Sequence, residues 1–388
     1  MVSFDNTENA FSAKNGADLN RSYLLFNMVS RPWMVNIGKV LTTWSLAMHL
    51  PIKAAIKATI FKQFCGGETI EECNNTVQEL GKFNIGTILD YSVEGKENDA
   101  DFDATTRETI ATIARAKGEK NIPFCVFKVT GVARFALLEK VSSKTSMSQD
   151  EEIEFTKVQQ RVKSICQTAH QANVPLFIDA EESWIQEAID NLANDMMQVF
   201  NTKKAIVYNT YQLYRKDRLS YLKESFSQAK QKNYLLGAKL VRGAYMEKER
   251  KRAAEMGYPS PIHDTKENTD TDYDEALAFC IDNKNHIAIC AGSHNEKSSM
   301  LLTELMERNK ISASDKHIYF SQLLGMSDHI SYNLSKAGYN VAKYVPYGPV
   351  KEVLPYLIRR AQENTSVKGQ TGRELGLIIK ERQRRKGK

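Results

Sequence analysis

The sequence predicts an α/β fold, a (β/α)8 barrel, from three observations. Eight short β-branched or aromatic runs alternate with longer amphipathic, charged stretches. Such alternation builds right-handed βαβ units on a parallel sheet, and eight units in roughly 280 residues suit a closed barrel. The rival open sheet usually announces a nucleotide site by G-x-G-x-x-G after its first strand, and that motif is absent.

Taken in order, residues 1–20 are polar and read as a loosely attached tail. Arg21 to Thr76 reads as helical, with apolar and aromatic residues gathered in "YLLFNMVSRPWMVNIGKVLTTW". The strand runs follow as Ile85–Ser92, Pro123–Thr130, Val174–Glu181 and Lys204–Thr210, then Tyr234–Gly243, His286–Ser293, His317–Leu323 and Tyr339–Pro346. Most are nearly continuous in apolar residues, as strands covered on both faces should be. The expected organisation is a tail and helical extension (1–76), a barrel (77–365) and a basic tail (366–388).

Active sites of such barrels lie at the carboxyl ends of the strands. Polar residues close every run: Asp90 and Tyr91; Lys128; Asp179 with Glu181 and Glu182; Asn209 and Tyr211. The remaining runs end in Arg242, Gly243 and Tyr245; Ser293, His294 and Asn295; Gln322; and Tyr344. Polar strand ends are common, but Lys128 stands out, because a lone ammonium in an apolar strand is costly unless paired or functional.

The stretch Tyr344–Asn364 turns at Pro346–Gly348 and then becomes helical. Val350, Val353, Leu354, Leu357 and Ala361 form its apolar stripe, with Tyr356, Arg359, Arg360 and Glu363 roughly opposite. That second face is either a solvated surface or a clamp for a planar anion, since arginine forks match carboxylates. A mouth carrying Lys128, Arg242, Arg359 and Arg360 calls for an anionic ligand, a substrate carboxylate or a cofactor phosphate. Tyr245, Tyr344 and Tyr356 add flat apolar surface for a small ring.

Composition narrows the class further. The chain has 388 residues and a net charge of +6, and no uncharged apolar run approaches the ~18 residues of a membrane span. The most apolar stretch, Ser45–Phe61, is interrupted by His49, Pro51, Lys53 and Lys57, and the start lacks a secretory pattern. Cys65, Cys73, Cys125, Cys166, Cys280 and Cys290 form no C-x-x-C pair and read as reduced, buried thiols of a cytosolic protein. No metal-ligand spacing occurs, so no metal is expected. Lys380–Lys388 holds six basic residues and one acidic residue, which reads as a frayed soluble terminus rather than an arm for nucleic acid or an anionic membrane.

Four segments, "KLVRGAYMEKERKRAAEMGYPSPI" (Lys239–Ile262), "YLIRRAQEN" (Tyr356–Asn364), "IDAEES" (Ile178–Ser183) and "NTYQLYRKD" (Asn209–Asp217), closely resemble proline dehydrogenase. That family is also called proline oxidase, and the match is nearest its single-activity, eukaryotic-like branch. The resemblance spans all eight strand runs in order and enters the N-terminal helices. It implies a distorted (β/α)8 TIM barrel with an N-terminal helical extension and a last helix tipped over the mouth. The implied activity is FAD-dependent oxidation of L-proline to Δ1-pyrroline-5-carboxylate by hydride transfer from C5 to flavin N5. Electrons would pass to a membrane quinone, and a separate pyrroline-5-carboxylate dehydrogenase would take the product, because the chain is too short for the aldehyde dehydrogenase module of bifunctional relatives. The implied location is cytoplasmic, with peripheral association with the inner membrane.

By motif, the resemblance implies that Lys128, Arg359 and Arg360 bind the proline carboxylate, with Glu363 buttressing the arginines. Leu240, Tyr245, Tyr344 and Tyr356 would wall the ring, and Asp179 would hold Lys128 and the flavin edge beside Ala180. Lys128, Asp179, Lys239 and Tyr344 make the implied catalytic set. Asn209, Lys239, Val241, Arg242, Gly243, Ala244, Ser293, His294, Gln322 and Glu363 would contact FAD, with Thr265 and Thr269 toward its adenine end. Lys239 stands where many relatives carry arginine, Met246 where some carry tryptophan, and Asn209 for a glutamine of the bifunctional branch. Hydroxyproline dehydrogenase is the near alternative, disfavoured because a 4-hydroxyl would meet Tyr344. A Schiff-base lyase using Lys128 is the distant one.

Overall fold

A computed structural model describes residues 2–29, 31, 53–92, 97–366 and 370–387. Side chains are described for all of these except Val29, Lys53, Ala55, 361–366 and 370–371. The stretch 32–52 of the expected helical region lies outside the described residues.

Eight parallel strands close a barrel in chain order. They are β1 (Ile85–Tyr91), β2 (Phe124–Lys128), β3 (Leu176–Asp179), β4 (Val207–Gln212), β5 (Leu236–Val241), β6 (Ile287–Gly292), β7 (Ile318–Leu323) and β8 (Val341–Tyr347). All eight expected runs are strands. The chain divides into two compact units, Gly95–Ser321 and a second one combining Met1–Glu94 with Gln322–Lys388.

The helices, in chain order, begin with α1 (Thr7–Ala10), α2 (Gly16–Val29), α3 (Lys53–Ile56) and α4 (Asn74–Gly81). Then come α5 (Asp99–Ala116), α6 (Phe135–Ser142), α7 (Gln149–Ala172), α8 (Ser183–Phe200), α9 (Arg218–Gln231), α10 (Met246–Met256), α11 (Lys266–Asp282) and α12 (Glu296–Arg308). The last are α13 (Asp328–Lys336), α14 (Val350–Ser366) and α15 (Gln370–Lys386).

Within Gly95–Ser321, local chemistry sets the helix ends. Asn98, Ser148, Thr265 and Asn295 accept first-turn N–H groups of α5, α7, α11 and α12, and Ser148 completes a capping box with Glu151. Asn173 leaves α7 in the left-handed region at φ 55°. The barrel interior of this unit is plugged by aromatic rings from alternate strand positions. Phe124 stacks on Phe177 at 4.4 Å, and Tyr208 and Tyr319 meet Phe124 edge-on at 5.6 and 4.8 Å. Gly237 makes room for them, since a Cβ there would lie 2.3 Å from the Val207 carbonyl oxygen and 2.8 Å from the Tyr208 ring.

In the second unit β1 and β8 pair over their whole length, from Ile85 with Val341 to Tyr91 with Tyr347. Two expectations fail here. Residues 1–20 are not a loose tail, because Phe4, Ala10, Phe11 and Leu19 are buried. The basic terminus is not frayed either. It forms α15, whose Leu377 and Ile378 share a core with Ala10, Phe11, Leu19 and Phe26. Glu381 is fully buried and accepts from Arg384 and Arg385 at 2.7–3.0 Å, while Arg385 also donates to the Phe11 and Lys14 carbonyls. Two arginines of the positive run, Arg384 and Arg385, are thus paired with a buried carboxylate, and apolar residues hidden in a polar sequence tie the two terminal segments together.

Candidate active site

The strand register of Gly95–Ser321 lines up a polar layer. Lys128 pairs with Asp179, Thr210 with Lys239, and Lys239 with Cys290. Residues in register share a face, so these side chains stand at similar height above the aromatic plug. Lys239 Nζ donates to Asp179 Oδ1 at 2.5 Å, the two side chains keeping 6% and 14% of their exposure. The same ammonium lies 5.5 Å from the centre of the Phe177 ring. Asp179 was expected to hold Lys128, and the structure supplies Lys239 as a partner. Cys290 donates to Ser321 Oγ at 3.3 Å, and burial pushes its thiol up to about 11. Lys128, the last residue of β2, is half-buried.

Beyond this layer, the segment after β3 is tied to its neighbours. Glu181, 4% exposed, accepts from the Thr130 N–H at 3.0 Å and the Thr130 hydroxyl at 2.5 Å. Its own N–H donates to Gln186, and its carbonyl accepts from Gln212 Nε2 at 2.6 Å. Burial pushes the Glu181 carboxyl up to about 7, against the opposing pull of Thr130 and Lys128. Ala180 is buried beside it.

After β5 and β6 the groups suit an extended anionic cofactor. The Arg242 guanidinium carbon lies 4.2 Å from the centre of the Tyr273 ring, and its nitrogens donate to Asp270, Ser293 and Ser298 at 2.7–2.9 Å. Its fork is therefore fixed before any ligand arrives. Gly243, at φ 139°, and Ala244 are exposed, and Val241 and His294 are half-buried. A Cβ on Gly243 would strike the Tyr214 ring at 2.5 Å, and the positive φ adds strain, so glycine is required here. Thr265 caps α11, Thr269 is buried one turn on, and Tyr245 is half-buried at the start of α10. Side-chain-poor backbone beside a fixed arginine, a histidine and hydroxyls is a donor set that fits FAD.

Three of the expected residues lie deeper than the strand ends. Asn209 is not a strand end. It is fully buried at mid-strand, its amide nitrogen donating to Asp190 of α8 and its oxygen accepting from the Thr210 N–H. The polar residue that ends β4 is Gln212, missed because the strand runs two residues past Thr210. Leu240, next to Lys239 and hence on the alternate face, has no accessible surface to offer a ligand. Gln322 is 2% exposed and its amide oxygen accepts from Ser331 of α13.

In the second unit, Tyr344 of β8 is 6% exposed. The helix α14 starts where Glu68 accepts from the Val350 N–H at 3.3 Å; beside it the Gly66 N–H donates to the Pro346 carbonyl of β8 and the Gly348 N–H to the Gly67 carbonyl. Tyr356 and Arg360, 5% and 8% exposed, are not a solvated face. The Arg360 guanidinium lies 5.2 Å from the Tyr356 ring centre, the i,i+4 contact that their spacing allows. Arg359 is half-buried, and the side chain of Glu363 lies outside the described residues.

Known proteins resemble this chain over most of its length. The family model described as proline dehydrogenase matches residues 73–373. The mitochondrial proline dehydrogenase 1 of Dictyostelium discoideum is 34% identical, covering 98% of this chain and 74% of its own length. The carbapenem antibiotics biosynthesis protein CarD of Pectobacterium carotovorum subsp. carotovorum is also 34% identical, covering 83% of each chain. Among solved structures, proline utilization A from Bdellovibrio bacteriovorus, inactivated by N-propargylglycine, superposes with a TM-score of 0.73 at 18% identity. That match covers 93% of this chain but 38% of the larger one, and it shows a shared fold. The chain belongs to the proline dehydrogenase family of oxidoreductases.

Proposed function

We propose that this chain oxidises L-proline to Δ1-pyrroline-5-carboxylate, with FAD as resident cofactor and a membrane quinone as final electron acceptor. The observation that carries this reading is the register-aligned layer of Lys128, Asp179 and Lys239 in a chain of this family. Bound FAD would supply the hydride acceptor that amino acid side chains lack. The chain's own part is to bind, orient and desolvate. Lys128, Arg359 and Arg360 hold the substrate carboxylate, and Tyr245, Tyr344 and Tyr356 wall the ring so that C5 faces the acceptor. Asp179 fixes Lys239 at the floor. Ala180, Gln212, Val241, Arg242, Gly243, Ala244, Ser293 and His294 cradle the cofactor, with Thr265 and Thr269 toward its far end. Gln212 takes the place that Asn209 was expected to fill. The substrate amine sheds its proton to solvent before the hydride leaves.

The barrel of residues 77–365 carries this chemistry. Oxidation of the product is assigned to a separate pyrroline-5-carboxylate dehydrogenase. Among the described residues, no helix is long and apolar enough to cross a membrane. A cytoplasmic location with peripheral docking on the inner membrane follows as part of the same reading, the word mitochondrial being the relative's. Unsubstituted proline is favoured over 4-hydroxyproline because the Tyr344 ring takes up the space of a 4-hydroxyl.

The test is anaerobic titration of the yellow holoprotein with L-proline, beside Arg359→Ala. The wild type should bleach. The variant should keep its flavin but require roughly 10- to 100-fold more proline, the worth of a charge-assisted carboxylate contact. A colourless protein that takes up no added FAD sinks the proposal. A higher kcat/KM for 4-hydroxyproline overturns the substrate assignment.

A further inference from the structure

One buried carboxylate beside the polar layer has no part in the chemistry above. Glu181 follows Asp179 by two residues, and the chain folds it back over the end of β2. Its two oxygens hold the N–H and hydroxyl of Thr130, in the 3-10 turn Val129–Gly131 that directly follows Lys128. Its backbone holds Gln186 on one side and Gln212 on the other. Gln186 continues to Asp190, which takes Asn209 and Arg218. One residue thus ties the turn after β2, the loop after β3 and the end of β4 into a single hydrogen-bonded unit. Nothing in the packing of an apolar core requires a carboxylate here, and burying one is costly.

We propose that Glu181 is the positioning residue for Lys128: by holding the Val129–Gly131 turn it sets where the lysine ammonium meets the substrate carboxylate, and its charge state tunes that attraction. The inference rests on the reading that Lys128 binds a carboxylate. The charged groups around Glu181 are Lys128 from β2 and Glu182 from its own segment. Glu182 is itself bound by Lys248 of α10, and Asp190 of α8 lies one glutamine away. Charged, Glu181 offsets part of the Lys128 field. Neutral, it leaves that field to the substrate and keeps both Thr130 contacts, one oxygen accepting the N–H while the acid proton is donated to the hydroxyl. Burial pushes this carboxyl up to about 7, so both states are populated near neutrality.

Glu181→Gln separates the two roles, because its amide accepts the Thr130 N–H and donates to the hydroxyl while carrying no charge. In the wild-type holoprotein the KM for L-proline should rise several-fold as pH passes through about 7, the effect falling on KM rather than kcat. Glu181→Gln should abolish that inflection and keep the low-pH KM throughout. Glu181→Ala, which frees the turn, should raise KM by about tenfold at every pH. Direct binding of L-tetrahydro-2-furoate, a proline analogue with oxygen for nitrogen, supplies a readout independent of turnover. Its affinity should show the same inflection in wild type and none in Glu181→Gln. Equal inflections in wild type and Glu181→Gln, by either measure, overturn the proposal. So does an unaltered KM in Glu181→Ala. A wild type that binds the analogue with the inflection but does not oxidise proline would overturn the proposed function and leave the role of Glu181 standing.

Discussion

The Asp179–Lys239 pair yields a stability prediction that can be worked from its geometry. At 2.5 Å and an effective dielectric constant of about 20, the gross attraction is about 7 kcal/mol. Both side chains have lost most of their water, at 14% and 6% exposure, and desolvation costs several kcal/mol per ion. The net coupling that survives should be about 2 kcal/mol. Removing one partner is a larger perturbation, because the remaining, largely buried charge loses its 2.5 Å contact. Asp179→Asn and Lys239→Met should each cost about 3 kcal/mol, whereas the double variant should fall short of their sum by about 2 kcal/mol. Urea unfolding of the four proteins, compared by midpoint at a shared slope, measures the cycle. If the two single effects add, the ion pair carries no coupling. Asp179 and Lys239 would then be neighbours rather than partners, and the polar layer would lose its fixed floor.

Gly237→Ala should destabilise by about 3 kcal/mol or prevent folding, since the Val207 backbone that its Cβ would strike cannot move aside; soluble yield and thermal midpoint report it. Leu377→Ala should cost about 2–5 kcal/mol by opening a cavity in the core that joins the two termini, read as a lower urea midpoint. Glu181→Gln should change the pH dependence of stability. The Glu181 carboxyl titrates near 7 in the fold against an ordinary value of 4.5, so the folded state holds the extra proton. Its contribution is fully present below about pH 4.5 and lost as pH rises through about 7. Wild type should therefore lose about 3 kcal/mol relative to Glu181→Gln between pH 4.5 and 8, and equal slopes in the two proteins would show that the carboxyl is not perturbed.

The strands were legible because each is an apolar run too short for a helix, bounded by charge, and that is a property of a few adjacent residues. The site was legible only as far as its residues could be recognised one at a time. Lys128 announced itself as a cation in an apolar strand. Tyr356 and Arg360 announced a shared face through their spacing, though not that the face is buried, which depends on where the helix packs. Both termini were misread for a related reason. Ala10, Phe11 and Leu19 are sparse among polar neighbours, and their partners Leu377 and Ile378 lie more than 350 residues away in sequence.

Asn209 marks a subtler boundary. Within β4, Asn209 and Tyr211 share one face and Tyr208, Thr210 and Gln212 the other, so a strand end displaced by two residues changes which amide ends the strand. Alternation alone could have settled the matter. Tyr208 is the bulky residue beside Gly237 on the neighbouring strand, and counting outward by twos from it reaches Thr210 and Gln212, never Asn209. The same count from Gly237 reaches Lys239 and Val241 and leaves Leu240 against the helices. A glycine paired with an aromatic on the neighbouring strand therefore indexes a barrel interior from sequence, provided the two strands are set in register. Register is what a single chain withholds, because nothing within β4 states which residue of β5 it will meet.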